Sequence, residues 1–242
     1  MKRLQGKKIL ITGASSGYGR GIALACAEAG ADLALVARNE ERLDGVAELA
    51  STQGSQVVTC LAELSDEEQV LAAVAKAKSS LGGIDVLVNN AGMNVTPRSI
   101  RDTSSAEWRQ LLEVNLTAAF LFTKAILPDM IARQEGTIIN LASRAALYPH
   151  LAGGVGYSAS KMGMDALTQV TNEEANPYNV RACLLCPGTG NTPLLDRRSV
   201  PPTTEQRARM LQPEDIGAAV VLIASMPQRV NIELVSMLPT RL

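Results

Sequence analysis

Two groups of residues in this chain have types and spacing suited to chemistry. One is Tyr157-Ser158-Ala159-Ser160-Lys161, in which a phenol and an amine stand four positions apart. On a helix that spacing places both side chains on one face, so the ammonium can lie near the phenol. A neighbouring positive charge favours phenolate and pulls a tyrosine pKa down from about 10 toward the working range, which makes Tyr157 a usable general acid or base. The other group is Thr12-Gly13-Ala14-Ser15-Ser16-Gly17-Tyr18-Gly19. A glycine-rich turn between a strand and a helix lets the backbone approach a pyrophosphate, whose charge then meets free N–H groups and the helix dipole. The spacing here is G-x-x-x-G-x-G instead of G-x-G-x-x-G, and a turn that needs glycines for backbone reasons alone is the competing reading.

Such residues need a frame that brings a strand end, a glycine turn and a helix face together. Short aliphatic runs at 8–12, 32–37, 56–61, 85–88, 136–141, 180–186 and 230–237 read as seven strands. They alternate with stretches of helical period at 17–29, 39–53, 66–81, 105–132, 157–175 and 213–226. This alternation predicts an α/β chain whose parallel sheet is doubly wound, with helices on both faces. The 213–226 helix opens on Pro213, with Glu214 and Asp215 at its positive end,. Residues 188–211 show no clear period and carry Pro193, Pro201, Pro202 and the Arg197-Arg198 pair. Inside a compact domain such a segment reads as a substrate lid, with a solvated loop as the alternative.

Composition narrows the function. The 242 residues fall within the range of one domain, here 1–242, and 23 basic against 24 acidic residues leave a formal charge of −1,. No basic face exists to neutralise phosphates, so nucleic acid is not an expected partner. Aromatic residues make up 3% of the chain, so the core must be aliphatic, as suits strands buried on both faces,. The four cysteines are scattered and the first residues lead into polar sequence, which together predict a reducing, cytoplasmic setting,. Apolar stretches such as 218–224 fall short of the ~18 residues of a membrane span, so no membrane partner is expected,.

At the end of the second strand an acidic residue would bind the ribose 2′-hydroxyl of NAD, whereas this chain has Ala37-Arg38-Asn39,. A guanidinium favours a 2′-phosphate, hence NADP(H) over NAD(H). The other reading of Arg38 is a surface arginine paired with Glu41. Further along come Asn89-Asn90-Ala91-Gly92, Asn115, Ser143, the Tyr157/Lys161 pair and Pro187-Gly188 with Thr192. Their order, taken with the glycine loop, resembles the short-chain dehydrogenase/reductase family over essentially the whole chain.

The resemblance implies a single-domain Rossmann fold with strand order 3-2-1-4-5-6-7 and an NADP-preferring carbonyl reductase or alcohol dehydrogenase. It implies catalytic roles for Asn115, Ser143, Tyr157 and Lys161. Tyr157 would pass a proton to the substrate oxygen and Ser143 would hydrogen-bond that oxygen. Lys161 would hold the nicotinamide ribose, and Asn115 would order a water leading to Lys161. Cofactor contacts are expected from Gly13, Ser15, Ser16, Gly17, Tyr18 and Gly19 in the loop, and from Arg38 and Glu63 around the adenosine. Asn89, Ala91, Gly92, Pro187, Gly188 and Thr192 would join Tyr157 and Lys161 along the rest of the cofactor.

Other features carry less. Cys183 and Cys186 have C-x-x-C spacing, but residues three apart in a strand point to opposite faces, so buried thiols are expected,. His150, the one histidine, cannot build a metal site alone, and none is predicted; substrate contact and plain exposure remain open for it,. Tyr18 stands where relatives carry Ile or Leu. Glu173 stands where reductases of carrier-bound acyl groups often carry a basic residue, which argues against the alternative of a β-ketoacyl reductase. The ending Val230-Asn231-Ile232-Glu233 is similar to relatives acting on small hydroxy acids, aldehydes or ketones. Arg144, Arg197 and Arg198 fit an anionic substrate or simple exposure equally. A non-catalytic dinucleotide sensor and a dehalogenase are the readings from other classes; the complete set of four catalytic residues opposes the first and the intact glycine loop the second. Ala- and Leu-rich faces on the 105–132 and 157–175 helices, with the resemblance, imply a homodimer or homotetramer.

Overall fold

The computed structural model describes residues 2–197 and 200–241, with the Arg197 side chain outside that description. Seven strands pair in parallel throughout: β1 (Lys8–Thr12), β2 (Asp32–Ala37), β3 (Val57–Leu61), β4 (Val86–Asn89), β5 (Gly136–Leu141), β6 (Val180–Pro187) and β7 (Leu234–Met237). Their order is β3-β2-β1-β4-β5-β6-β7, as expected. Because the chain winds outward from β1 to β3 and then returns to place β4 beside β1, a crevice opens at the carboxyl ends of β1 and β4.

Alternate strand residues feed opposite faces, which is why the strands read as aliphatic runs. Ile9, Ile11, Leu33, Leu35 and Val88 bury against α1 (Gly17–Glu28), α2 (Glu40–Ser51) and α9 (Pro213–Ser225). Leu10, Ala34, Val36, Leu87 and Ile138 bury against α3 (Glu67–Leu81) and α5 (Ala118–Arg133). Asn39 and Asp66 cap the N-termini of α2 and α3 by accepting from the backbone N–H of Arg42 and Gln69,.

The structure departs from the expected elements in four places. The 105–132 helix is broken into α4 (Ser105–Leu112), a π-helical turn (Glu113–Thr117) and α5, because the wide turn draws Asn115 inward to bond the backbone of Met93,. The continuous 105–133 stretch is apolar and long enough by composition to cross a bilayer, yet half of its most apolar window is buried in the fold. A short α6 (Arg144–Leu147) follows Ser143, and α7 (Val155–Ala175) starts two residues before Tyr157. Residues 188–211 are not aperiodic: they hold a 3-10 turn at Pro193–Arg197 and α8 (Thr204–Ala208), whose reciprocal Thr203/Gln206 capping box is the signal that helical period could not supply,. Finally, β7 begins at Leu234, since a turn closed by Val230 N–H on the Pro227 carbonyl occupies the preceding residues. Buried Arg181 on β6 holds that turn by donating to the carbonyls of Pro227 and Val230.

Candidate active site

The glycine loop crosses the carboxyl end of β1 with Gly13 at φ +66° and Gly17 at φ +52°, conformations that L side chains rarely adopt,. A Cβ on Gly19 would overlap the Gly13 carbonyl oxygen, so the loop closes tightly only with glycine. From β4 the Asn89–Gly92 turn latches onto it. The N–H groups of Asn90 and Ala91 donate to Thr12 Oγ1 at 3.1 and 3.0 Å, and Asn90 Nδ2 donates to the Thr12 carbonyl at 2.7 Å. The N-terminus of α1 has no side-chain cap, so its first-turn N–H groups face the crevice with the helix dipole behind them,.

These parts wall a cavity of about 700 Å³ lined by Gly13, Ser15, Ser16, Gly17, Tyr18 and Gly19. Arg38, Glu63, Ala91, Gly92, Tyr157, Lys161 and Thr192 line the same cavity. Its size, anion-facing helix end and close glycine backbone fit a dinucleotide. Arg38 does not pair with Glu41 but with Glu63, Nη1 to Oε2 at 3.1 Å, at the end where the adenosine would lie. Arg42 lines that end as well, a second guanidinium that the sequence reading passed over.

Asn89 is corrected. It is buried beneath the site, donating to Asn140 Oδ1 at 2.9 Å and Thr123 Oγ1 at 3.2 Å, and it ties β4 to β5 and α5 without lining the cavity. Its neighbour Asn90 is the asparagine that reaches the lining. Pro187 and Gly188 also lie elsewhere: they line the adjoining cavity described below.

Tyr157 and Lys161 share one face of α7, the ammonium 5.9 Å from the phenol ring centre. Lys161 is buried and its Nζ donates to the Leu141 carbonyl at 2.8 Å. Burial pushes its pKa down to about 8,. The expected lowering of the Tyr157 pKa is reversed: burial raises it, opposed by a hydrogen bond with the Ser143 side chain and by the positive charge of Arg98. Desolvation wins for this half-buried phenol, and Lys161 is not among the groups that lower it,. Ser143 Oγ also accepts from the Ala145 N–H at 3.1 Å, so it caps α6 while facing Tyr157.

Asn115 sits behind this pair. Its Oδ1 accepts from Met93 N–H at 2.7 Å and its Nδ2 donates to Ser160 Oγ at 3.0 Å, while Ser160 donates to the Tyr157 carbonyl at 2.8 Å. The side chain thus locks the turn after β4 to α7. Its hydrogen bonds do not reach Lys161, although both side chains border Gly92, where a Cβ would stand 3.4 Å from Lys161 Nζ and 3.5 Å from Asn115 Oδ1. Ser160 went unassigned in the sequence because a serine inside a helix gives no signal of its own.

A second cavity of about 390 Å³ meets the first at Tyr18, Ala142, Tyr157, Thr192 and Leu194. Ser143, Arg144, His150 and the C-terminal Leu238 and Pro239 line it, as do Asn94 and Arg98 from the loop after β4. His150 is exposed at this wall, its Nδ1 accepting from Gly153 N–H at 3.1 Å. The Tyr18 hydroxyl is buried against Gly190, where a Cβ would overlap it, and has no hydrogen-bond partner among the described residues. Burial first, then the nearby Tyr157 and Asp215, push its pKa well above the ordinary value, so it stays a neutral phenol on the wall shared by both cavities. Arg198 falls outside the described residues.

Cys183 and Cys186 bury in different core clusters on opposite faces of β6, as the strand geometry requires. Among the described residues no three His, Cys, Asp or Glu side chains gather in a metal-holding group.

Residues 7–201 match the family model described as short chain dehydrogenase. An oxidoreductase of Staphylococcus saprophyticus is 33% identical over 99% of this chain and 100% of its own length. A 3-oxoacyl-[acyl-carrier-protein] reductase of Thermotoga maritima is 31% identical over 92% of each chain. Among solved structures, a metagenomic short-chain oxidoreductase in complex with NADP is 32% identical with a TM-score of 0.85, over 98% of this chain and 99% of that one. An alcohol dehydrogenase from the archaeon Thermococcus sibiricus, complexed with 5-hydroxy-NADP, is 31% identical with a TM-score of 0.87 over 97% of both. The sheet order, the glycine loop and these likenesses agree, and the chain belongs to the short-chain dehydrogenase family of oxidoreductases.

Proposed function

We propose that this protein is an NADP(H)-preferring reductase of small carbonyl compounds, with the reverse alcohol oxidation available to the same site. The observation that carries the reading is the meeting of the two cavities at Tyr157, one suited to a dinucleotide and the other walled by Ser143. When bound, the nicotinamide supplies a hydride to the carbonyl carbon. The remaining work falls to the chain. Tyr157, kept protonated by its burial, gives its proton to the oxygen that receives the carbonyl π pair,. Ser143 donates a hydrogen bond to that oxygen, and the Lys161 ammonium holds the nicotinamide ribose hydroxyls and adds positive charge beneath the developing alkoxide. Asn115 is the positioning residue that fixes α7 against the turn after β4, and a water held there would return a proton toward Lys161.

Arg38, with Arg42 beside it, supports the preference for a 2′-phosphate, while its ion pair with Glu63 moderates that preference and leaves NAD(H) usable,. Residues 188–211 act as a lid over the single catalytic domain 1–242, in a cytoplasmic homotetramer or homodimer formed through the 105–132 and 157–175 helices. Exposed Glu173 on α7 supports free small molecules over carrier-bound acyl groups,. The test is a panel of aldehydes, ketones and alcohols assayed with NADPH, NADH and their oxidised forms. Reduction of carbonyl compounds with NADPH favoured over NADH is the expected result; no turnover of any compound with either cofactor overturns the reading.

A further inference from the structure

The chemistry above does not use the charged wall of the substrate cavity. That wall carries two guanidinium groups, Arg98 and Arg144, and the imidazole of His150, with no Asp or Glu among the described lining residues. Arg98 is also held in place. Its Nη1 donates to the Gly153 carbonyl at 3.4 Å, and its own carbonyl accepts from Val155 N–H at 3.2 Å at the start of α7. A Cβ on Gly154 would lie 3.1 Å from Arg98 Cδ, so the stem rests along the backbone that leads into Tyr157. Asn94 steadies the same Gly153 carbonyl at 2.9 Å. Arg144 is stacked over Tyr148, its guanidinium carbon 4.4 Å from the ring centre. A cleft lined by one sign of charge focuses its field on what enters, and guanidinium groups fixed beforehand lose less freedom on binding.

We propose that this cavity selects carbonyl substrates that bear a carboxylate, with Arg98 as the principal anion-binding side chain and Arg144 assisting. A planar carboxylate matches the guanidinium fork, and a cavity of about 390 Å³ suits a short oxo acid,. Anchoring the carboxylate on the Arg98 side leaves the carbonyl to reach Ser143 and Tyr157. The inference rests on the reductase reading and narrows its substrate class.

The experiment compares pyruvate, acetoacetate and levulinate with their methyl esters in the wild-type protein, Arg98→Met and Arg98→Lys, with NADPH. At least one acid is expected to exceed its ester in kcat/KM by about 10-fold or more, and Arg98→Met to bring that ratio down by about 10-fold, chiefly through KM for the acid. Arg98→Lys should recover part of the ratio. Esters preferred by the wild-type protein, or an acid-to-ester ratio unmoved by Arg98→Met, would overturn the assignment; so would dihydroxyacetone phosphate exceeding every oxo acid, since a phosphate site is then present. Turnover of neutral ketones without any preference for acids sinks this inference alone. If neither acids nor neutral compounds turn over, the reductase reading fails, and calorimetric titration of acetoacetate into wild-type and Arg98→Met protein still decides the anion site: equal binding, or none, overturns it.

Discussion

The two cavities that meet at Tyr157 are built by different means. The dinucleotide side is made largely of backbone: a glycine loop with Gly13 and Gly17 at positive φ, an uncapped helix end, and a turn that grips Thr12 through main-chain N–H groups. The substrate side is made largely of side chains: Arg98, Arg144, His150, Tyr18, Leu195 and Leu238, brought from segments far apart in the chain. A backbone-built site tolerates few sequences because most positions admit only glycine or a small residue. A side-chain-built site can be rewritten residue by residue on the same scaffold. The first cavity is therefore tightly constrained in sequence, and the second leaves room for the side chains that would set the substrate.

The largest effect should fall on the dinucleotide side, beside Tyr157. Lys161→Met is expected to lower kcat/KM by about 10³-fold. In the wild-type protein the reductive rate should stay level below pH about 8 and fall above it, because Lys161 loses its charge there while the raised Tyr157 remains protonated. That alkaline fall should vanish from the residual activity of Lys161→Met, an outcome that a merely structural lysine would not produce.

Next comes the backbone claim itself. In Gly19→Ala the added Cβ meets the Gly13 carbonyl, and overpacking of this kind costs about 1–3 kcal/mol,. Calorimetric melting should record the lower stability, and a fluorescence titration should record NADPH binding weakened by about 10-fold or more. Unchanged NADPH affinity would mean that the loop tolerates a side chain and that the dinucleotide cavity is not held by its backbone. The smallest effect is expected at the rim, where side chains enter the dinucleotide site. Arg38→Asp should shift the NADPH-to-NADH ratio of kcat/KM toward NADH by about 10-fold, because one charge-assisted contact is lost and a ribose acceptor gained. An unchanged ratio removes Arg38 as the selector and points to Arg42.

Legibility in the sequence followed the same division. The β1 run Lys8–Thr12, the glycine loop and the Tyr157/Lys161 spacing are local patterns, so the sheet, the turn and the candidate proton donor were legible in the sequence. The π-helical turn around Asn115 was invisible, since its cause is a side chain bonding Met93 22 residues earlier. Arg98 was missed for a related reason. It lies in a loop with no period, and what gives it meaning is a carbonyl 55 residues away. The sign of the Tyr157 shift also escaped, because spacing reports which charge is near but not how much water burial removes,. Even Asn89 and Asn90, adjacent in one motif, divided between the core and the cavity only once the strand register placed Asn89 opposite Asn140.

Tyr157 is proposed to move the proton in a site where most of the cofactor contacts come from other residues. That role is tested most directly by measuring NADPH binding and carbonyl reduction in one preparation of Tyr157→Phe. Expected is a kcat lower by about 10³-fold while the NADPH Kd stays within about 3-fold of the wild-type value. Turnover at the wild-type rate would contradict it.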